Sequence, residues 1–137
     1  MDFISVPKDI GSSDLRSDME GVCAATLNRV HWGMSRQNKP KVTLEFTLTE
    51  DISGIDPPTT GEKVLEACSL QPQALWKLNG YYKQQTGEDI PQGNYSKEDF
   101  QALIEDAILN TDWDLDLMIG ADDKGEPRTQ VRAANVK

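Results

Sequence analysis

The sequence predicts a single domain of the α+β class, with five mainly antiparallel strands and two helices inserted between the third and fourth strands. Three observations predict this class. Apolar and polar residues alternate over residues 42–49 and again over 112–119, which is the period of half-buried strands. Residues 97–108 instead repeat their apolar positions at helical spacing. A chain of 137 residues is long enough to bury one core without disulfides or metals.

Residues 1–20 precede the first strand. They are predicted to form an arm followed by a solvated loop, because a short apolar piece is followed by a segment rich in Gly, Ser and Asp. Residues 21–32 mix small, β-branched and aromatic side chains without a helical stripe, and they predict the first strand. The alternating residues 42–49 form the second strand. The turn-forming segment 35–41 between them predicts a hairpin with a long, basic tip.

The helical insert is predicted at about residues 72–109. It comes after a proline-containing loop at 52–61 and a short third strand at 63–70. Pro72 suits a first helical turn, and Gly87 lies where a C-terminal cap is expected. The first helix is therefore predicted to run between these two residues.

The second helix is predicted to begin at Ser96, which forms a variant of the capping box with Asp99. A fourth strand follows at 112–119. A glycine-containing turn then leads to a fifth strand at 129–136, so the last two strands are predicted to form a hairpin.

Alternation in the fifth strand places Arg132 on the face opposite Val131 and Ala133. The complete order is three strands, a helical insert and two strands. This is the element order of the five-stranded Greek-key barrel called the OB-fold, which often binds oligonucleotides. We therefore expect residues 21–137 to form an OB-like barrel or sheet.

Composition excludes several classes of function. With 23 acidic and 14 basic residues the net charge is −9, which disfavours indiscriminate binding to duplex DNA or to anionic membranes. No apolar run approaches the roughly 20 residues that span a bilayer, and the first residues do not form a secretory signal. A cytoplasmic protein that does not bind membranes is expected. Cys23 and Cys68 are far apart and are expected to be free, buried thiols.

No catalytic residue or cofactor site is predicted. His31 is the single histidine, and the sequence has neither a glycine-rich phosphate loop nor a nucleophile elbow, so a non-enzymatic protein is expected. Asp112, Asp114 and Asp116 share one face of the fourth strand and could in principle hold a hard cation. Because Trp113 between them has the character of a core residue, a solvated acidic face is favoured and no metal site is predicted.

Basic residues concentrate near the first hairpin, where residues 21–44 contain no acid. In an OB-like barrel, the loops joining the first two and the last two strands flank the binding groove. Cations along such a groove, together with aromatic faces, are what a single-strand binder requires. The alternative is that these charges form an ordinary solvated loop tip and that the lone histidine is a surface residue. The predicted nucleic-acid-binding residues are Arg29, His31, Trp32, Arg36, Lys39, Lys41, Arg128 and Arg132.

Three stretches of the chain carry a family resemblance: KPKVTLEFTLTED, SLQPQALWKLNGYYKQQTG and DLDLMIGADDKGEPRTQVRAA. They contain a strand ending in an acidic residue, a helix with the pattern sL-x-x-x-AlWkL and a final hairpin with a glycine-containing tip. In these features the sequence resembles small phage-encoded, OB-fold-like accessory proteins that bind single-stranded DNA and are often encoded near replication and recombination genes. From the first stretch to the last, the resemblance covers about two-thirds of the chain.

This resemblance implies a barrel-like β core and a non-catalytic role on single-stranded DNA in the cytoplasm of the host cell. Phage or host replication and recombination proteins are the protein partners that it implies. The family supplies no catalytic residues.

The second half of the chain suggests a different function, because residues 88–126 contain twelve acids and only two lysines. A second hypothesis is an acidic phage protein that imitates DNA and so binds and inhibits a host defence or nucleic-acid-binding protein. A third is a homo-oligomer formed through an exposed strand edge. The carboxylates assigned to the second hypothesis are those of Asp112, Asp114, Asp116, Asp122 and Asp123.

Overall fold

The computed structural model of the chain describes residues 15–137, and the first 14 residues of the predicted N-terminal arm lie outside the described residues. The described part forms five strands, two α-helices and one short 3-10 turn, which confirms the α+β class. Both helices lie between the third and fourth strands in the chain. The elements are β1 (Gly21–Met34), β2 (Pro40–Leu48), β3 (Lys63–Ser69), α1 (Trp76–Thr86), α2 (Lys97–Ile108), β4 (Thr111–Ala121) and β5 (Pro127–Val136).

The five strands form one antiparallel sheet in the order β3-β2-β1-β4-β5. The long strand β1 is central because its second half pairs with β2 and its first half pairs with β4. The edge strands β3 and β5 also approach each other, so the sheet curls around its core. Phe46, Tyr81 and Trp113 pack together in that core, with the Tyr81 and Trp113 ring centroids 5.1 Å apart.

A β-bulge at Asn28 changes which side chains of β1 face the core. The pairing between β1 and β2 shifts by one residue at this point, and Thr47 Oγ1 donates a hydrogen bond to Asn28 Oδ1 at 3.0 Å. An extra residue in one strand inverts the alternation of side chains beyond it. Leu27 faces the core before the bulge, whereas Val30 and Trp32 face it afterwards.

A second bulge lies in β5 and corrects the predicted alternation there. Val131 pairs with the buried Leu117, and Ala133 pairs with Asp116 on the outer face of the sheet. Arg132 is the extra residue between them. The prediction that Val131 and Ala133 share a face was therefore wrong, because period-two alternation does not continue through a bulge.

The helical insert begins and ends at the predicted signals. Residues Pro72–Ala74 form the 3-10 turn that precedes α1. The helix ends at Gly87, which has φ 81° and donates its backbone N–H to the Lys83 carbonyl at 2.7 Å. Ser96 caps α2 by accepting the Asp99 backbone N–H at 3.1 Å. Among residues 15–137, no helix is long and apolar enough to cross a membrane.

Helix α1 lies along the seam between the two edge strands and hydrogen-bonds to both. Gln84 donates its side-chain amide to the Ala134 carbonyl and accepts the Val136 backbone N–H, each at 2.8 Å. This amide therefore takes the place of a neighbouring strand along β5. On the other side, Lys77 Nζ donates to the Ala67 carbonyl of β3 at 3.0 Å. The helix thus satisfies backbone groups that an exposed sheet edge would leave unpaired.

Replacing Gln84 with Ala is expected to loosen the end of β5. Two hydrogen bonds are lost, which predicts a loss of about 1–2 kcal/mol in the free energy of unfolding. The Val136 amide should also exchange with solvent faster, because its acceptor has gone. Urea unfolding and hydrogen exchange measured by NMR provide the two measurements. Lys83→Ala, one residue away and exposed, is the control; equal Val136 protection in the Gln84→Ala protein would contradict the role of Gln84.

The two cysteines are expected to be unreactive in the folded protein. Both are buried and free, as predicted. Burial raises the pKa of Cys23 to about 11 and that of Cys68 to about 12. Because the thiolate is the reactive form, a thiol reagent such as DTNB should modify neither residue at pH near 8 until denaturant is added. Rapid reaction of the native protein would show that one thiol is accessible.

Candidate nucleic-acid interface

The outer faces of β1, β2 and β3 form one surface that carries Arg29 and Lys41, two of the four predicted binding cations of the first hairpin. Residues directly opposite each other on neighbouring strands place their side chains on the same face of the sheet. Arg29 lies opposite Glu45, Lys41 lies opposite Gly33, and Lys63 lies opposite Thr47, all on the side away from the core. We call this surface the basic face; its charged and ionisable residues are Arg29, His31, Lys41, Glu45 and Lys63.

Glu45 is the acid at the centre of the basic face, and its side chain is fully buried. His31 Nε2 lies 3.2 Å from Glu45 Oε1, and Lys63 Nζ lies 3.8 Å from Glu45 Oε2. A buried carboxylate is tolerated only when cations or donors pair with it. Glu45 therefore presents no carboxylate at the surface, and the half-exposed Lys63 lies within ion-pair distance of its Oε2, to which the described residues donate no hydrogen bond.

The tip of the β1–β2 hairpin extends the basic face with two exposed cations, Arg36 and Lys39. The tip is closed by backbone hydrogen bonds from Ser35 to the Lys39 carbonyl at 2.7 Å and from Asn38 to the Ser35 carbonyl at 3.0 Å. Asn38 takes the left-handed conformation, with φ 58°, that this reversal of the chain requires. The geometry therefore fixes the backbone of the tip and leaves its cationic side chains in solvent.

The tip of the β4–β5 hairpin lies beside the tip of the β1–β2 hairpin. Arg36 Nη1 is 3.9 Å from Asp123 Oδ2, and both side chains are more than three-quarters exposed. An ion pair this exposed contributes little to stability. Asp122 accepts the Glu126 and Lys124 backbone N–H groups, each at 2.9 Å, and these bonds lower its pKa. The Asp122 carboxylate thus stabilises the turn, whereas the exposed Asp123 carboxylate lies beside Arg36.

The outer face of β4 carries the three alternating aspartates and is acidic. Asp112, Asp114 and Asp116 lie opposite Thr26, Ala24 and Val22 of β1. The Thr26 hydroxyl donates to Asp112 at 2.8 Å. We call this surface the acidic face; it adjoins the first half of β1, whereas Arg29 and His31 of the basic face lie in the second half of β1, beyond the bulge.

The two arginines of β5 do not join the cations of the basic face. Arg132 Nη1 is 3.9 Å from Asp116 Oδ2, which places it beside the acidic face. Arg128 lies at the start of β5 opposite Gly120, next to the β4–β5 turn. The structure therefore separates Arg132 from the hairpin cations with which the sequence grouped it.

The assignment of Trp32 as a base-stacking residue is wrong, because this side chain is only 4% exposed. Its indole Nε1 donates to Glu105 Oε2 on α2 at 2.7 Å. Its ring packs edge-on against Phe100, with the centroids 6.1 Å apart. The bulge at Asn28 turns Trp32 toward the core, so it connects β1 with α2.

Lys63 is the residue of the basic face that the sequence did not predict. It is the first residue of β3 and lies far from the hairpin in the chain. Pairing of Thr47 with Lys63 brings it next to Glu45. Alternation with the buried Val64 and Cys68 indicates an outward side chain, but only the register of β2 with β3 shows which neighbours it meets.

Among residues 15–137, no group of three or more His, Cys, Asp or Glu side chains is placed to hold a metal ion. The geometry thus defines an α+β protein with one basic and one acidic sheet surface. Comparison with models of known protein families and with curated proteins finds no match to the chain.

Proposed function

We propose that this protein binds single-stranded DNA without catalysing a reaction, using the basic face and the tip of the β1–β2 hairpin. The observation that carries the proposal is the distribution of charge on the basic face. Arg29, Lys41 and Lys63 share it, and its acid, Glu45, is fully buried and lies within 4 Å of both His31 and Lys63. A phosphate backbone laid across the three strands would therefore meet cations without meeting an exposed carboxylate on this face.

The arrangement of the strands supports an OB-like barrel as the scaffold for this site. Five antiparallel strands curl until β3 and β5 approach, and the helices lie between β3 and β4 in the chain. In OB-folds, oligonucleotides bind across the face of the second and third strands, between the β1–β2 and β4–β5 loops. In this proposal the basic face and the two hairpin tips, which approach each other at Arg36 and Asp123, would serve as that binding surface.

The biological setting in this proposal comes from the sequence resemblance. An accessory protein of phage replication or recombination would act in the cytoplasm of the host cell, where single strands are exposed during both processes. Its partners would be single-stranded DNA and the replication or recombination proteins that work on it.

The test is fluorescence anisotropy of a labelled oligothymidylate titrated with the protein at two salt concentrations. If about four phosphates are neutralised, affinity should fall roughly fiftyfold between about 50 mM and about 200 mM salt. A duplex of the same length should bind more weakly, because its stiff backbone cannot follow the curved sheet. Absence of binding at the lower salt concentration would refute the proposal.

The acidic face favours a second candidate function, inhibition of a basic nucleic-acid-binding protein by imitation of DNA. Asp112, Asp114 and Asp116 project from alternate positions of one strand, and Asp123 is exposed nearby in the chain. The protein would then displace labelled DNA from a basic host nucleoid protein. Changing the three aspartates of β4 to Asn should abolish displacement, whereas it should leave oligothymidylate binding intact if the first proposal is correct.

A further inference from the structure

A groove lies outside both sheet surfaces, between the start of α1, the loop before α2 and the first turn of α2. Its volume is about 740 Å³. Trp76 lines it with 73% of its surface exposed, and Tyr95 is 38% exposed. A tryptophan this exposed leaves a large apolar surface that gains free energy when a ligand buries it. We call this the aromatic groove; it is lined in part by Trp76, Asn79, Asp89, Pro91, Tyr95 and Phe100.

Hydrogen bonds inside the molecule shape the aromatic groove before any ligand arrives. The Asn79 side chain donates to Asp89 Oδ1 at 2.9 Å and accepts the Ile90 backbone N–H at 2.8 Å, which fastens the loop to α1. The Tyr95 hydroxyl donates to the Pro91 carbonyl at 2.5 Å. A preformed groove of this kind lowers the entropy cost of binding.

The electrostatics of the groove favour a cationic ligand. The hydrogen bond from Asn79 and the nearby Lys83 ammonium lower the pKa of Asp89, so this carboxylate stays ionised at neutral pH. Lys83 Nζ lies 3.6 Å from it in an exposed pair that a ligand can replace. An aromatic face beside a carboxylate suits a guanidinium group, which stacks on tryptophan and pairs with carboxylates. Phosphate would be repelled by the same carboxylate.

We propose that the aromatic groove binds an arginine-containing, partly apolar peptide segment of a partner protein. The guanidinium lies against the Trp76 indole and pairs with Asp89, while a neighbouring apolar side chain contacts Tyr95 and Pro91. Charge complementarity with Asp89, the carboxylate among the lining residues, selects this occupant. The proposal does not depend on DNA binding, since the groove and the basic face share no residue.

The test uses a synthetic peptide in which two arginines flank a leucine, together with the same peptide carrying citrulline in place of arginine. Citrulline keeps the planar shape and loses the charge. Binding is followed by the NMR signal of the Trp76 indole N–H, with the buried Trp32 and Trp113 indoles as internal references. We expect a saturable shift of the Trp76 signal and at least about tenfold weaker binding of the citrulline peptide.

Variants separate the contributions of the groove residues. Trp76→Ala, followed by peptide anisotropy, should weaken binding at least about tenfold. Asp89→Asn should weaken it several-fold, and Lys83→Ala should strengthen it because the competing cation is gone. Equal affinity for the two peptides, or unchanged affinity in Trp76→Ala, would overturn the proposal. The proposal would also be overturned if the peptide left the Trp76 signal unchanged while an oligothymidylate or a second copy of the protein shifted it.

Discussion

Replacing Arg29 and Lys41 with Glu in one protein is expected to weaken oligothymidylate binding at least about tenfold at moderate salt. Both residues lie on the basic face, and two phosphate contacts are lost and replaced by repulsion. The dependence of log affinity on log salt concentration should also become shallower, by about 1.4 in slope, since each contact with a single strand contributes about 0.7. Anisotropy titrations over a series of salt concentrations measure both quantities.

The matched control is Lys83→Glu with Arg132→Glu, which makes the same change in net charge away from the basic face. Lys83 lies on α1, and Arg132 lies beside Asp116. This control should retain most of the affinity and the original salt slope. Equal losses in the two double variants would show that net charge alone governs binding and that the basic face is not the site.

Trp32→Ala is expected to destabilise the protein by about 3–5 kcal/mol, as is usual when a buried aromatic side chain is removed from a core. The variant loses the contact with Phe100 and leaves the Glu105 carboxylate without the indole donor. Urea unfolding followed by far-UV circular dichroism measures the change. A loss below about 1 kcal/mol would be that of a surface residue and would contradict the core position of Trp32.

The milder change Trp32→Phe separates folding from binding. A smaller aromatic ring remains, so the variant loses the hydrogen bond to Glu105 and the buried volume of the pyrrole part of the indole, and the protein should stay folded at room temperature with a smaller loss of stability than Trp32→Ala. Its affinity for oligothymidylate should match that of the original protein. Weaker DNA binding by the folded Trp32→Phe protein would instead return Trp32 to the list of base-stacking residues.

Several elements were predictable because they depend on neighbouring residues in the chain. Alternation from Val42 to Leu48 predicts β2, since a half-buried strand must place every second side chain in the core. Ser96 with Asp99 and the glycine at position 87 mark helix ends, because capping is a hydrogen bond or a backbone conformation within a few residues. These signals can be recognised without knowing which elements pack against each other in the folded protein.

The candidate site was predictable only in part. The concentration of Arg29, Arg36, Lys39 and Lys41 in one hairpin follows from the chain, because residues in a hairpin stay close. Lys63 could not be assigned to the same surface, since its proximity depends on the register of β2 with β3. The sequence alone does not show which residues of two neighbouring strands lie opposite each other.

By itself, the sequence determined the number, type and approximate limits of the elements, because these follow from local hydrophobic periodicity and turn chemistry. The tertiary structure decided which face each charged or aromatic side chain occupies. One extra residue at Asn28 turns Trp32 into the core and Arg29 outward, and one at Arg132 changes the alternation of β5. A bulge is set by how two strands fit together, and a shift of one residue exchanges the two faces of a strand.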